Sequence, residues 1–298
     1  MFNSFLFIAS VLIWGSTWYA IDFQLGVVDP AVSLTYRYLL AAALAFGWCG
    51  WRRLSLRFDA AGHRYFLLLG LFIFSLNYLS AYHAQLYISS ALNAIGFSTM
   101  IWMNIINARI FLGRRSGWTV YAGAILGMVG VLIIFIPEVE KFSLTDRILT
   151  GMFFSLLGTL IASIGNITSQ IAQQRQLPVM QANAWGMLYG ALINALIALA
   201  FGKNFNFDPA PAYTISLLYL AVVGSFIAFA CYLTLLGRVG LEKAGYAAVM
   251  IPVVAVAFSV VLEGVTLGIH MVSGLLLALV GNVFVLAHSS TERSNAVS

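Results

Sequence analysis

Long apolar runs alternate with short polar breaks over the whole of this 298-residue chain. Ten such runs fall at 4–23, 32–51, 65–83, 87–111, 118–136, 149–172, 181–201, 213–236, 244–262 and 268–287. Each is close to the roughly 20 apolar residues that a helix needs to cross a bilayer. An open strand edge cannot be hydrogen-bonded in lipid, so all ten are predicted to be helices. Val27, Asp29 and Pro30 punctuate the first break, and Arg52, Arg53, Arg57 and Arg64 fill the second. Pro137 to Arg147 forms a long connector and separates five runs from five. The predicted organisation is a first unit at 1–137, a connector at 138–148, a second unit at 149–288 and a polar tail at 289–298. An odd number of spans per unit turns the second copy upside down relative to the first. Inverted repeats of this kind give carriers two related states, each open to one side of the membrane.

Composition removes the soluble alternative. The chain is 61% hydrophobic and 8% charged, with a mean hydropathy of +0.94, whereas a soluble domain carries about 25% charged residues. The runs are also too long and too weakly alternating for an outer-membrane barrel, whose strands are about ten residues each. The formal charge of +5 does not form a nucleic-acid face, because the basic residues sit in short loops beside the spans. Arg52, Arg53, Arg57, Arg64, Arg109, Arg114, Arg115, Arg175, Arg238, Lys243 and Arg293 fall on one side, and Lys141, Arg147 and Lys203 on the other. By the positive-inside rule both termini are expected in the cytoplasm, with the chain in a bacterial inner membrane. The first run lacks a basic leader, and bulky Trp18 and Tyr19 precede Ala20, so it reads as an uncleaved span. Cys49 and Cys231 lie inside apolar runs with no partner spacing, and no metal-spaced His/Cys cluster is present. Neither a metal nor another cofactor is expected.

The two units share weak sequence echoes. Asp29-Pro30-Ala31 opens the second run as Leu177-Pro178-Val179 opens the seventh. Ala91-Leu92-Asn93-Ala94 opens the fourth much as Ala244-Gly245-Tyr246-Ala247 opens the ninth. Gly123 and Gly130 in the fifth run match Gly274 and Gly281 in the tenth. Together with Ile13-Trp14-Gly15-Ser16, Arg37-Tyr38, Phe111-Leu112-Gly113-Arg114 and Val261-Leu262-Glu263, these features resemble the EamA family of the drug/metabolite transporter superfamily. The resemblance runs over nearly the whole chain. It implies an all-α membrane protein of ten transmembrane helices in two inverted five-helix repeats, with a central cavity between the halves and the fifth and tenth spans at the periphery. It also implies export of amino acids or other small metabolites without ATP, and the chain carries no GxxxxGK[ST] phosphate loop. The family's Glu after the Gly that closes the fourth span is replaced by Arg114, and Trp102 stands where Pro252 stands in the ninth.

Candidate site residues follow from polar or aromatic groups placed where lipid disfavours them. Ser10, Trp14 and Trp18 are spaced four apart and share one helix face. Asn77, Tyr78, Tyr82 and Gln85 cluster at the outer end of the third run. Asn93, Phe97, Asn104 and Asn107 mark the fourth, with Trp102 on a different face, and Asn166, Ser169, Gln170 and Gln173 mark the sixth. Tyr189, Tyr232 and Tyr246 add hydroxyls. Each asparagine has two readings, cavity lining or interhelical glue, the latter worth about 0.6 kcal/mol on average. Arg37 lies about one and a half turns into the second run, roughly 7–9 Å from its outer end at 1.5 Å per residue. Its partner is a substrate carboxylate held bidentately, an acid such as Asp22, or the interface reached by snorkelling. Asp22 and Glu263, with His83 and His270, are the groups that could couple transport to protons. Pro252 breaks backbone bonding in the ninth run and is a candidate hinge.

The expected function is a secondary carrier for a small-molecule substrate, an amino acid or amphipathic amine, with the lipid bilayer as its other partner. An uptake carrier and a facilitative channel are the alternatives. A membrane lipid enzyme would need clustered catalytic groups that the four scattered histidines do not supply.

Overall fold

The computed structural model describes residues 2–113, 117–141, 146–245, 247–262 and 268–281. Every regular element among them is helical: α1 Phe2–Asp22, α2 Pro30–Trp51, α3 Ala60–Gln85, α4 Ser90–Phe97, α5 Met100–Leu112, α6 Trp118–Lys141, α7 Asp146–Gln174, α8 Val179–Ala200, α9 Pro211–Val239, α10 Leu241–Ala244, α11 Ala247–Leu262 and α12 Ile269–Gly281. Six of them, α1, α2, α3, α7, α8 and α9, are long and apolar enough to cross a bilayer. The other predicted spans fall on α4–α5, α6, α10–α11 and α12, which are interrupted or incompletely described.

Caps explain several boundaries. Asp29 accepts a hydrogen bond from the Ala31 amide at 2.9 Å while Pro30 occupies the first helical position, so α2 starts there. Asp59 accepts from the Gly62 amide at 2.8 Å and starts α3 at Ala60, five residues ahead of the predicted run. Gly113, at φ 63°, closes α5 in the left-handed conformation that glycine adopts without penalty. The predicted fourth span is broken at Ser98–Thr99, where the Thr99 hydroxyl donates to the Gly96 carbonyl at 2.7 Å and competes with the helix ladder. The predicted ninth span is interrupted after Ala244, whereas α11 runs through Pro252 without ending.

Two turns are π-helical, Phe72–Leu76 in α3 and Val222–Ile227 in α9. A π turn takes a carbonyl out of the i to i+4 ladder, and in a dry interior that carbonyl needs another donor. The Phe74 carbonyl accepts from Asn194 Nδ2 of α8 at 3.1 Å. The Gly224 carbonyl accepts from Trp14 Nε1 of α1 at 3.2 Å. Several other buried hydroxyls are satisfied within their own helix, as where Ser10 donates to Leu6, Thr35 to Ala31 and Thr159 to Ser155.

Packing crosses between the two units. α2 lies against α8 along its length, and α3 also packs on α8. α1 packs on α11 and α9, while α7 packs on α4–α5 and α3. Small residues allow the closest approaches. A Cβ at Gly70 would lie 2.8 Å from the Gly190 nitrogen and 2.9 Å from the Gly186 carbonyl oxygen. The glycine pairs noted in the fifth and tenth runs face one another: a Cβ at Gly130 would strike the Gly274 carbonyl, and one at Gly281 would strike that of Gly123.

Candidate functional site

A cavity lies where α1, α3, α4–α5, α7, α9 and α11 converge, and holds about 720 Å³ of atom-free space including its open end. Trp14, Thr17, Trp18 and Ile21 come from α1, and Ile73, Asn77, Tyr78 and Ala81 from α3. Phe97 and Met100 flank the Ser98–Thr99 break. Ala162 and Asn166 come from α7, Phe229 and Tyr232 from α9, and Ala248 and Ile251 from α11. Three lining elements thus precede the connector and three follow it.

Rings dominate the wall. Trp14 meets Phe229 edge-on at 5.0 Å between centroids and Tyr232 at 4.8 Å. Trp18 meets Phe97 at 4.9 Å, and Phe229 meets Phe74 at 4.9 Å and Tyr78 at 6.1 Å. The π turn of α9 fixes the Trp14 indole by its nitrogen. Polar groups are few and neutral: Asn77 Nδ2 donates to the Ile73 carbonyl at 3.2 Å, and Asn166 Nδ2 to Met100 Sδ at 3.4 Å. An apolar, aromatic cleft with a small number of placed polar groups is the usual form of a small-molecule site.

Of the residues singled out in the sequence, Trp14, Trp18, Asn77, Tyr78, Phe97, Asn166 and Tyr232 line this cavity. Arg37 and Tyr82 sit one layer behind it and are fully buried. The Arg37 guanidinium donates through Nε to Ser225 Oγ at 2.9 Å and through Nη1 to Tyr82 Oη at 3.3 Å. It lies 4.5 Å from the Tyr78 ring centre and 5.4 Å from that of Tyr38. Its partners are hydroxyls and rings, not Asp22. Asp22 instead accepts from Gln85 Nε2 at 2.6 Å, and the same amide donates to the Trp18 carbonyl at 3.1 Å. Asn93 ties α4 to α3 by donating to the Ala81 carbonyl at 2.8 Å.

Two aromatic candidates lie elsewhere. Trp102 turns toward α6, where its indole donates to the Ala124 carbonyl. Tyr189 lies on α8, with its hydroxyl 2.8 Å from His63 Nδ1 and its ring stacked on Trp185. Pro252 is buried in α11 beside cavity-lining Ile251. Tyr246 and Glu263 lie outside the described residues. Sequence reasoning missed Thr17, Ile73, Met100 and Phe229. Thr17 and Phe229 left a signal, since each lies three residues from a singled-out aromatic, Trp14 or Tyr232, and shares its helix face.

A profile of the EamA-like transporter family matches residues 1–136 and 149–287. Proteins of similar sequence include the Uncharacterized transporter YoaV of Bacillus subtilis strain 168, 23% identical over 280 residues that make up 92% of this chain and 93% of that one. Protein PagO of Salmonella typhimurium is 22% identical over 272 residues, covering 90% and 87% of the two chains. One solved crystal structure shares the fold at a TM-score of 0.74 and 16% identity, covering 95% of both chains.

Proposed function

The chain belongs to the EamA-like transporter family, and from that premise we propose that it is a secondary carrier that exports a small amphipathic metabolite, an amino acid or amine, from a bacterial cell. Two inverted five-helix repeats cross the inner membrane ten times, with both termini in the cytoplasm, and alternating access opens the central cavity to each side in turn. The observation that carries this reading is the cavity itself, walled equally by elements from both family-matched segments.

The packing supports the repeat. Exchanging the first predicted span for the sixth, the second for the seventh, the third for the eighth and the fourth for the ninth maps the contacts between units onto themselves. The α1–α11 contact becomes α7–α4/α5, the α1–α9 contact becomes α7–α3, and the α2–α8 contact maps onto itself. The two π turns obey the same exchange, and each carries a serine, Ser75 or Ser225. Substrate contact falls to Trp14, Trp18, Tyr78, Phe97, Asn166 and Tyr232, while the interruptions at Ser98–Thr99 and after Ala244, with Pro252, supply bending points.

Counterflow in proteoliposomes across a panel of amino acids and amines tests the proposal. Saturable, trans-stimulated flux of at least one member is expected, and Trp14→Ala should abolish it. Absence of flux for every member, from protein of intact fold, would remove the amino-acid and amine assignment. Flux that neither saturates nor exchanges would replace the carrier with a channel.

A further inference from the structure

The guanidinium of Arg37 is fully buried, and its Nη2 atom has no hydrogen-bond partner. Among the described residues the ion pair is Lys203–Asp29, so no carboxylate closes on Arg37. A guanidinium keeps its charge in proteins. A buried charge whose only partners are neutral hydroxyls and rings is costly, and an anion relieves that cost.

The charge lies directly behind the cavity wall. Tyr78, which lines the cavity, covers the guanidinium at 4.5 Å. A Cβ at Gly224 would lie 3.6 Å from Nη2 and 2.8 Å from Cγ2 of Thr17, another lining residue. Glycine at 224 therefore leaves the free nitrogen close to the wall formed by Thr17 and Trp14. The lining residues among those described include no Asp, Glu, Lys or Arg; the Arg37 guanidinium lies behind Tyr78, whereas the Asp22 carboxylate behind Trp18 is met by the Gln85 amide. In a low-dielectric cleft one uncompensated charge selects the sign of the ligand.

We infer that the cavity takes an amphipathic carboxylate, with an apolar or aromatic body and its anionic end drawn toward Arg37, in preference to an amine of the same shape. This rests on the carrier reading and narrows its substrate class: an amino acid qualifies through its carboxylate, and a simple amine does not. The rings of Trp14, Trp18 and Phe97 receive the body. The carboxylate approaches the Tyr78–Thr17 side.

Trp14 and Trp18 report occupancy directly, so tryptophan fluorescence titration of the purified full chain in micelles tests the inference. The probes are 3-phenylpropanoate, its amide 3-phenylpropanamide and the amine 3-phenylpropylamine, which share one body and differ in charge. A solute stacked on the far face of Tyr78 sits roughly 8 Å from the guanidinium, so at an effective dielectric near 20 the acid should bind about tenfold or more tighter than the amide. The amine should bind weakest. Arg37→Gln should remove the preference, and Arg37→Lys should keep part of it. Amine binding as tight as acid binding overturns the inference while leaving the carrier reading intact, as does an unchanged acid preference in folded Arg37→Gln. Binding of none of the three removes both readings. The wild-type comparison decides alone if Arg37→Gln does not fold.

Discussion

Asn194 should be the clamp on the π turn of α3. Both Asn194 and Ser75 are fully buried, and they make two linked bonds: Ser75 Oγ donates to Asn194 Oδ1 at 2.7 Å, and Asn194 Nδ2 donates to the Phe74 carbonyl at 3.1 Å. Asn194→Leu keeps the branched four-atom skeleton of the side chain and removes both. Interhelical hydrogen bonds in membranes average about 0.6 kcal/mol and reach about 1.7. Two of them, together with a carbonyl left unpaired in the π turn, put the expected loss at about 1–3 kcal/mol. Ser75→Ala removes one bond and should cost about 0.6–1.7 kcal/mol.

The double mutant separates the clamp from generic damage. With Leu already at 194, Ser75 has lost its acceptor, so removing its hydroxyl should then cost little. The coupling between the two substitutions should therefore be about 0.5–1.5 kcal/mol, above the roughly 0.3–0.5 scatter of independent sites. Equilibrium unfolding in mixed micelles of rising SDS content measures all four corners of the cycle. A coupling below about 0.3 kcal/mol would show that the two residues do not act as a unit, and the clamp argument would fail.

Other substitutions follow from the same contacts. Ser225→Ala occupies the matched place in α9 but strips a donor contact from a buried guanidinium, so it should destabilise more than Ser75→Ala in the same assay, by up to about 3 kcal/mol. Gly130→Ala places a methyl against the Gly274 carbonyl and 2.7 Å from the Ala278 nitrogen; backbone cannot yield, and about 1–3 kcal/mol should be lost. Gly47→Ala meets nothing within 4 Å on α2 and should stabilise by up to about 1 kcal/mol, read as a higher unfolding midpoint. Lys203→Ala removes a half-exposed partner of Asp29 and should cost under about 1 kcal/mol with salt dependence. Asp29→Ala also loses the cap on α2 and should cost about 1 kcal/mol more.

The legible part of this protein is what repeats along one helix. The apolar runs foretold where helices lie, because a bilayer-length run has one way to satisfy its backbone. Trp14 and Trp18 were found because their spacing of four needs no tertiary knowledge. Trp102 and Tyr189 have the same chemistry as the residues that line the cavity, yet one faces α6 and the other His63. Spacing gives a helix face, not the neighbour that face meets. Arg37 was found by its cost, but Asp22 was a poor guess at its partner, because Ser225 and Tyr82 lie 188 and 45 residues away along the chain. The π turns were invisible for the same reason: their freed carbonyls are satisfied by Asn194 and Trp14, 120 and 210 residues distant.

That last point separates the two halves physically. The turns match in position, and Ser75 and Ser225 hold the same place within them, but their clamps differ. In α3 one amide, Asn194, serves both the serine and the freed carbonyl, and it does not line the cavity. In α9 the serine is held by the Arg37 guanidinium and the carbonyl by the indole of Trp14, which does line it. Trp14→Phe keeps the ring packing and removes the donor, leaving the Gly224 carbonyl without its bond. The turn at 222–227 should then exchange its amide protons faster by about five- to thirtyfold, the equivalent of about 1–2 kcal/mol, while the turn at 72–76 is unchanged. Equal acceleration of both turns would mean that the indole stabilises the bundle at large; no acceleration would mean that the α9 turn does not depend on it. Only the first result leaves the α9 turn within direct reach of whatever occupies the cavity.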